Sequence, residues 1–286
     1  MKESVLNFDC EGERLIGIMA EPDSMPAEVG VIIIVGGPQY RAGSHRQFTL
    51  LARHLATNGF AALRFDYRSM GDSPGESRDF LGIRADIAAA IAALVSARPT
   101  VKRVALWGLC DAASAALLYL DTTRDSRVSG LVLLNPWVRS AATLAQVHVK
   151  HYYWKRLREP EFWRKLLRGG VGLKALRTLS SNLRLARSAT ATDSRSFQSR
   201  MADGLEGFAG EVLLILSGDD LTAKEFLGHA TPSVHWQKLL TRPNLRRFDL
   251  DHADHTLSRA QDQLLAFDWS VSAIRSLTTP GSSRTE

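Results

Sequence analysis

The sequence is short of cysteine and of long apolar runs, and each shortage excludes a class of protein. Its two cysteines, Cys10 and Cys110, are too few for the disulfide framework of a small secreted domain. Acidic residues such as Glu3 and Asp9 interrupt the N-terminal region, where a signal peptide needs a continuous apolar stretch. The longest apolar run, residues 29–35, is far shorter than the roughly 20 residues that span a bilayer. We therefore expect a cytoplasmic protein.

The composition also lacks the signs of disorder and of nucleic-acid binding. Apolar residues make up 45% of the 286 residues and charged residues 23%, which is ordinary for a folded globular chain. We find no internal repeat and no nucleic-acid motif, and the residues imply no metal or organic cofactor. This length suits one main domain that carries an inserted subdomain.

Alternation of apolar runs and helical patterns indicates the fold class. Two short alternating runs around the turn Glu11–Gly12 predict an antiparallel hairpin at one edge of a sheet. Apolar strands and amphipathic helices then follow each other repeatedly, as in residues 45–59, where the apolar spacing predicts a helix that ends at Gly59. Such alternation favours right-handed crossovers and a mostly parallel sheet, so we expect an α/β fold.

The alternation stops between residues 138 and 207, where aromatic and basic residues mingle. Residues 150–200 contain thirteen Lys and Arg against three acidic residues, a net charge of +10 that leaves the rest of the chain at −4. We predict a helical cap insertion at 138–207, a core of residues 1–137 and 208–276, and a disordered tail at 277–286.

The basic insertion has two interpretations. One is a solvated basic face whose aromatic residues pack on the core. The other is a lid that admits an anionic acyl substrate, either a small molecule or a lipid-linked one, or that rests on an acidic membrane surface. On the second interpretation the cytoplasmic protein would associate peripherally with a membrane.

The segment GLCDA at residues 108–112 is the strongest local signal. It follows an apolar strand and precedes an Ala-rich helix, which is the strand, turn and helix context of a GxSxG nucleophile elbow. Cys110 stands in place of the serine, and Ala112 in place of the last glycine. The N-terminus of the following helix favours a thiolate at Cys110. The alternative is a buried structural cysteine, since free cysteine is often buried.

With these motifs the chain resembles the α/β-hydrolase superfamily over most of its length, apart from the insertion. Within it, the segments GLCDAASAALLYL, LLILSGDDLTAKEF and ADHTLSR resemble the hydrolase 1 family associated with exosortase A systems of exopolysaccharide-producing bacteria. The superfamily resemblance implies an α/β-hydrolase fold and a triad in the order nucleophile, acid, base. The narrower resemblance implies a role connected with exopolysaccharide.

The resemblance supplies candidates for the acid and the base. The acid is expected after the late strand EVLLILSG, where Asp219 and Asp220 follow, and we favour Asp220 because similar proteins place the acid two residues after the glycine. The base is expected before the final helix, where His252 and His255 occur. We favour His255, which stands in the segment ADHT, and expect Asp220 to orient its imidazole toward Cys110.

The loop after an early strand supplies candidates for the oxyanion hole. In this fold the hole combines the N–H of the residue after the nucleophile, here Asp111, with an N–H of that early loop. Gly37 is the expected second donor, because Pro38 has no N–H. Four residues that follow could line a substrate pocket or an ordinary surface loop: Gln39, Tyr40, Arg41 and His45.

A second loop, FDYRSMGDS at residues 65–73, resembles the DxRGxGxS loop of the superfamily. We expect a structural role in which Asp66 and Arg68 satisfy turn backbone and each other.

These residues predict an acyl hydrolase of esters or thioesters with a Cys–His–Asp triad. Two alternatives stay open: acyl transfer to a sugar or lipid acceptor, and a catalytically silent scaffold, since fold does not dictate function.

Overall fold

The computed structural model describes residues 1–37, 39–139 and 195–278. The chain divides into two units, one formed by Met1–Val138 with Phe197–Glu286 and the other by Arg139–Ser196. The predicted cap at 138–207 and the predicted tail at 277–286 lie mostly outside the described residues. Both therefore stay predictions.

The first unit is built on an eight-stranded sheet of order β1-β2-β4-β3-β5-β6-β7-β8. Its strands are β1 Lys2–Cys10, β2 Glu13–Glu21, β3 Val29–Ile34, β4 Ala62–Phe65, β5 Arg103–Leu109, β6 Val128–Leu134, β7 Glu211–Ser217 and β8 Leu245–Leu250. The β1–β2 hairpin is antiparallel and joins the sheet by pairing β2 antiparallel with β4. From β4 to β8 every pair is parallel. This is the α/β-hydrolase fold expected from the sequence.

Helices connect the parallel strands. They are α1 Gln47–Thr57, α2 Arg84–Ala97, α3 Asp111–Thr123, α4 Phe197–Glu206, α5 Leu221–Ala230, α6 Val234–Leu240 and α7 Ala260–Ser276, with a 3₁₀ turn at Ser44–Arg46. Gly59 follows α1 at φ 94°, in agreement with the predicted helix end. Among the described helices, none combines the length and the apolar character that crossing a membrane requires.

The core lies on both faces of the sheet. Along β3, Ile32 and Ile34 pack on the face covered by α2 to α6, while Val31 and Ile33 pack on the face covered by α1 and α7. All four are fully buried. Because both faces of β3 are buried, the side chains that point to either face are apolar. The sequence of β3 is therefore one continuous apolar run.

The FDYRSMGDS loop confirms one half of its expectation and corrects the other. Asp66 accepts a hydrogen bond from the turn backbone, at Asp72 N, 3.0 Å long. Asp66 and Arg68 do not satisfy each other. Asp66 accepts hydrogen bonds from the backbone N–H and guanidinium of Arg41, whereas Arg68 forms a bidentate pair with Asp86, with N···O distances of 2.9 and 2.8 Å. Each side chain reaches across to another element, so the loop is anchored to the chain on either side of it.

Candidate active site

The carboxyl ends of parallel strands meet at one edge of the sheet, and the predicted site residues lie on the loops there. Gly37 follows β3, Cys110 follows β5, Asp220 follows β7 and His255 follows β8. Residues far apart in the sequence therefore converge because of the strand order.

Cys110 lies at the junction of β5 and α3 in a strained conformation. Its φ is 63° and its ψ −125°, a region that non-glycine residues rarely adopt. Its N–H donates to Leu134 O at 2.8 Å, and its carbonyl accepts from Trp137 N at 3.2 Å. A Cβ at Gly108 would come within 2.6 Å of the α3 backbone, so only glycine permits this close turn. The thiol is half-buried at the start of a helix.

Asp220 and His255 are hydrogen-bonded partners. His255 Nδ1 lies 2.8 Å from Asp220 Oδ2, while Asp220 Oδ1 accepts from Thr222 N at 2.9 Å as the N-cap of α5. The helix cap orients the carboxylate, which is only 4% exposed. Neighbouring Asp219 is exposed and its backbone N–H donates to Ala253 O. The buried carboxylate that faces the histidine is thus Asp220.

His255 favours the protonated state in this setting. The hydrogen bond to Asp220 and then the one to Cys110 raise its pKa from 6.5 to about 10, although burial opposes this shift. Nδ1 faces Asp220, so Nε2 is the nitrogen left for Cys110. The arrangement can hold a charged imidazolium beside Cys110 at neutral pH.

Three supporting residues were not identified from the sequence. Asn135, buried with φ 48°, exchanges two hydrogen bonds with Ser217, 2.8 and 3.0 Å long, which tie the ends of β6 and β7 together. Asp254 accepts from Thr256 N and Ser258 N, each at 3.0 Å, and so shapes the turn that carries His255. The Asn-Pro pair that follows an apolar strand is the sequence signal that could have identified Asn135.

The predicted oxyanion donors lie close together, and one of them is occupied. Gly37 N donates a 2.7 Å hydrogen bond to Oδ1 of Asp111. Burial raises the pKa of Asp111, while hydrogen bonds from the N–H groups of Gly37, Ala112 and Asp111 itself oppose that shift. The carboxylate thus occupies the Gly37 donor.

The four residues proposed to line a pocket take part in loop structure. The Gln39 side chain accepts from Ser44 N at 3.1 Å, and Tyr40 is 53% exposed. Arg41 pairs with Asp66 and Asp72, and His45 lies in the 3₁₀ turn with φ 52°. Their contact with a substrate remains a prediction.

His252 is exposed, and its carbonyl accepts a hydrogen bond from the Arg259 guanidinium. Away from these loops, Asp203 and Glu206 of α4 and His235 of α6 present ligand atoms within 4.8 Å of one another. All three side chains are at least partly exposed, and such groups commonly bind no ion, so this geometry alone assigns no metal.

The sequence matches a known family. Residues 27–201 match the family described as serine aminopeptidase, S33. The quorum-quenching protein AidA of Acinetobacter baumannii is 29% identical over 136 residues, which cover 46% of this chain and only 43% of AidA.

Solved structures share the fold at low identity. An esterase from Pyrococcus furiosus superposes with a TM-score of 0.65 at 14% identity, covering 97% of this chain and 93% of the esterase. The esterase domain of a Rhodothermus marinus protein superposes with a TM-score of 0.58 at 16% identity, covering 96% and 100%.

Proposed function

Because the chain belongs to the serine aminopeptidase S33 family of α/β hydrolases, we propose that it hydrolyses an ester or thioester with Cys110 as nucleophile, His255 as base and acid, and Asp220 as orienting carboxylate. The observation that carries the proposal is the 2.8 Å bond between His255 and the buried Asp220, beside a strained cysteine elbow. A strained nucleophile turn is a known feature of catalytic elbows in this fold.

The proposed reaction proceeds through an acyl-enzyme. The Cys110 thiolate attacks the substrate carbonyl carbon, and the oxygen takes up the negative charge beside the N–H groups of Gly37 and Asp111. The C–O or C–S bond to the leaving group then breaks as the His255 imidazolium gives that group its proton. Water, deprotonated by His255, attacks the acyl carbon, and the thiolate departs with release of the acid.

A cysteine departs from the serine in the family's name, and the electrostatics of the site suit the change. Asp220 and Cys110 both raise the pKa of His255, so the imidazolium is present before the substrate binds. A thiolate can pair with that cation, whereas a serine hydroxyl instead needs a neutral imidazole to accept its proton. The two esterases among the structural relatives favour ester over peptide substrates for this chain.

We further propose that the basic segment 138–207, most of which lies outside the described residues, favours anionic acyl substrates. Its support is the net charge of +10 in residues 150–200. An exopolysaccharide-related substrate, as the resemblance to the exosortase-associated family implies, is the finer form of this proposal. Acyl transfer would differ only in the acceptor that replaces water.

Intact-mass spectrometry tests the proposal. After incubation with an aryl ester or an acyl-CoA, we expect the parent to gain one acyl mass that maps to Cys110, and Cys110→Ala to gain none. Cys10→Ala is the matched control, because Cys10 is buried and burial raises its pKa to about 11, so its thiol stays protonated. An adduct that persists in Cys110→Ala would disprove the nucleophile.

A further inference from the structure

One of the two N–H groups assigned to the oxyanion, that of Gly37, is engaged by a side chain of the protein itself. Asp111 Oδ1 accepts from Gly37 N at 2.7 Å, and the N–H groups of Asp111 itself and of Ala112 also lower the pKa of this carboxyl, against the effect of burial, which raises it. A carbonyl oxygen bound for attack by Cys110 needs the first two of these donors. It therefore meets a hydrogen-bond acceptor already in place.

The surrounding chain is shaped to hold the carboxylate there. Asp111 is the first residue of α3, where the helix N-terminus presents N–H groups and a partial positive charge. Gly36 lacks a side chain on the facing loop, and a Cβ there would come within 2.3 Å of Asp111 Oδ1. Burial raises the pKa of Asp111, whereas the charge of His255 opposes that shift and favours the ionised carboxyl. The loop, the helix end and the catalytic histidine all stabilise the same position.

We infer that the Asp111 carboxylate is a built-in competitor for the oxyanion hole, which the substrate carbonyl must displace before Cys110 is acylated. The inference rests on the proposed function. A carboxylate cannot stay beside the oxyanion that forms, since two like charges would share the same donors. Asp111 is only partly buried, whereas Ala112 and Ala113, which follow it in the first turn of α3, are fully buried, so its side chain must rotate toward its own exposed side.

Displacement makes Asp111 a specificity-determining residue. A small activated ester offers little besides its neutral carbonyl oxygen, a weaker acceptor than a carboxylate. A larger acyl substrate is held by the rest of its structure, and that binding free energy can offset the displacement. The parent should therefore discriminate against small esters, and removal of the carboxylate should relax this preference.

The kinetic test compares acylation of Cys110 with its alkylation. In Asp111→Ala we expect acylation by a p-nitrophenyl acetate probe, divided by the rate of alkylation by iodoacetamide, to rise about tenfold or more. Iodoacetamide forms no oxyanion, so its rate reports only access to the thiol and its nucleophilicity. Asp111→Asn, which removes the charge but keeps an acceptor oxygen, should give an intermediate ratio. A ratio in Asp111→Ala that stays at the parent value would overturn the inference.

A second measurement does not depend on activity. The amide proton of Gly37 should lose its hydrogen-bonded NMR shift and exchange faster with solvent in Asp111→Ala, and remain as in the parent in Asp219→Ala, which removes an exposed carboxylate. Thermal unfolding shows whether each variant is folded. If the Gly37 amide is unchanged in Asp111→Ala, the Asp111 carboxylate does not occupy the oxyanion hole and the inference is overturned. A changed amide with no acyl adduct in any variant instead overturns the proposed hydrolase and leaves the occupied hole established.

Discussion

At the scale of single residues, the proposed chemistry depends on the charge state of His255. Its hydrogen bonds to Asp220 and Cys110 raise its pKa to about 10, so the imidazolium persists through neutral pH. Since this pKa lies above the ordinary value of 6.5, the contact stabilises the fold fully below pH 6.5 and loses that effect as the pH rises through about 10.

We expect Asp220→Asn to lower the His255 pKa toward its ordinary value, because the bond to Asp220 is the largest cause of the shift. NMR titration of the His255 ring protons measures this directly. Activity should fall by roughly 10³-fold or more, the usual loss when a triad member is removed. Asp219→Asn is the matched control and should leave the titration unchanged, since Asp219 is exposed and lies beside the acid. A parent His255 that titrates near 6.5 would contradict the proposed ion pair.

At the scale of elements, the elbow helix α3 is held by a close crossing with α4. Gly204 of α4 faces α3 so closely that a Cβ there would lie 2.1 Å from the carbonyl oxygen of Leu117. The α3 backbone cannot move aside for a Cβ atom in the way that a flexible side chain can. The two helices would have to separate to admit even one methyl group.

Gly204→Ala should therefore lower the free energy of unfolding by about 1–3 kcal/mol, the usual cost of overpacking. Urea denaturation followed by circular dichroism measures it. Gly228→Ala in α5 provides the control, since a Cβ there meets nothing within 4 Å. It should stabilise by roughly 0.5–1 kcal/mol, because alanine favours a helix interior over glycine. Equal effects at both positions would rule out the close crossing.

At the scale of the whole molecule, the first unit is interrupted in sequence after Val138 and resumes at Phe197. The Gln198 side chain donates a hydrogen bond to Val138 O at 2.9 Å. The residues on either side of the interruption therefore lie close together. A short Gly-Ser linker can bridge such a gap. Domains tolerate insertions where the two chain ends lie close together, so we expect the host to fold without the insertion as well.

We predict that a chain in which a short Gly-Ser linker replaces residues 140–194 folds cooperatively but loses any preference for an anionic thioester over a neutral ester of equal length. The parent's preference should weaken as salt rises, because charges are screened over about 8 Å at physiological ionic strength. Comparison of kcat/KM for both substrates from low to high salt tests this. A ratio that is the same in both proteins at every salt concentration would contradict the role assigned to the basic segment.

The sequence by itself determined the α/β class, the edge hairpin, the helix that ends before Gly59 and the Cys110 elbow. These follow from local information: apolar periodicity, turn residues and a motif within one strand and one helix. The short helix α6, Val234–Leu240, was not predicted, because seven residues carry little periodicity.

Only the tertiary structure decided which side chains meet. Asp219 and Asp220 have identical side chains. Asp220 is the one that bonds His255 because of the turn after β7 and because Asp220 caps α5. Arg68 pairs with Asp86 rather than with Asp66. The Asp111 carboxylate accepts a hydrogen bond from Gly37 N. Both contacts form because β3, β4 and β5 lie side by side in the sheet. Such pairings join residues up to 74 positions apart, a separation over which local sequence patterns carry no distance information.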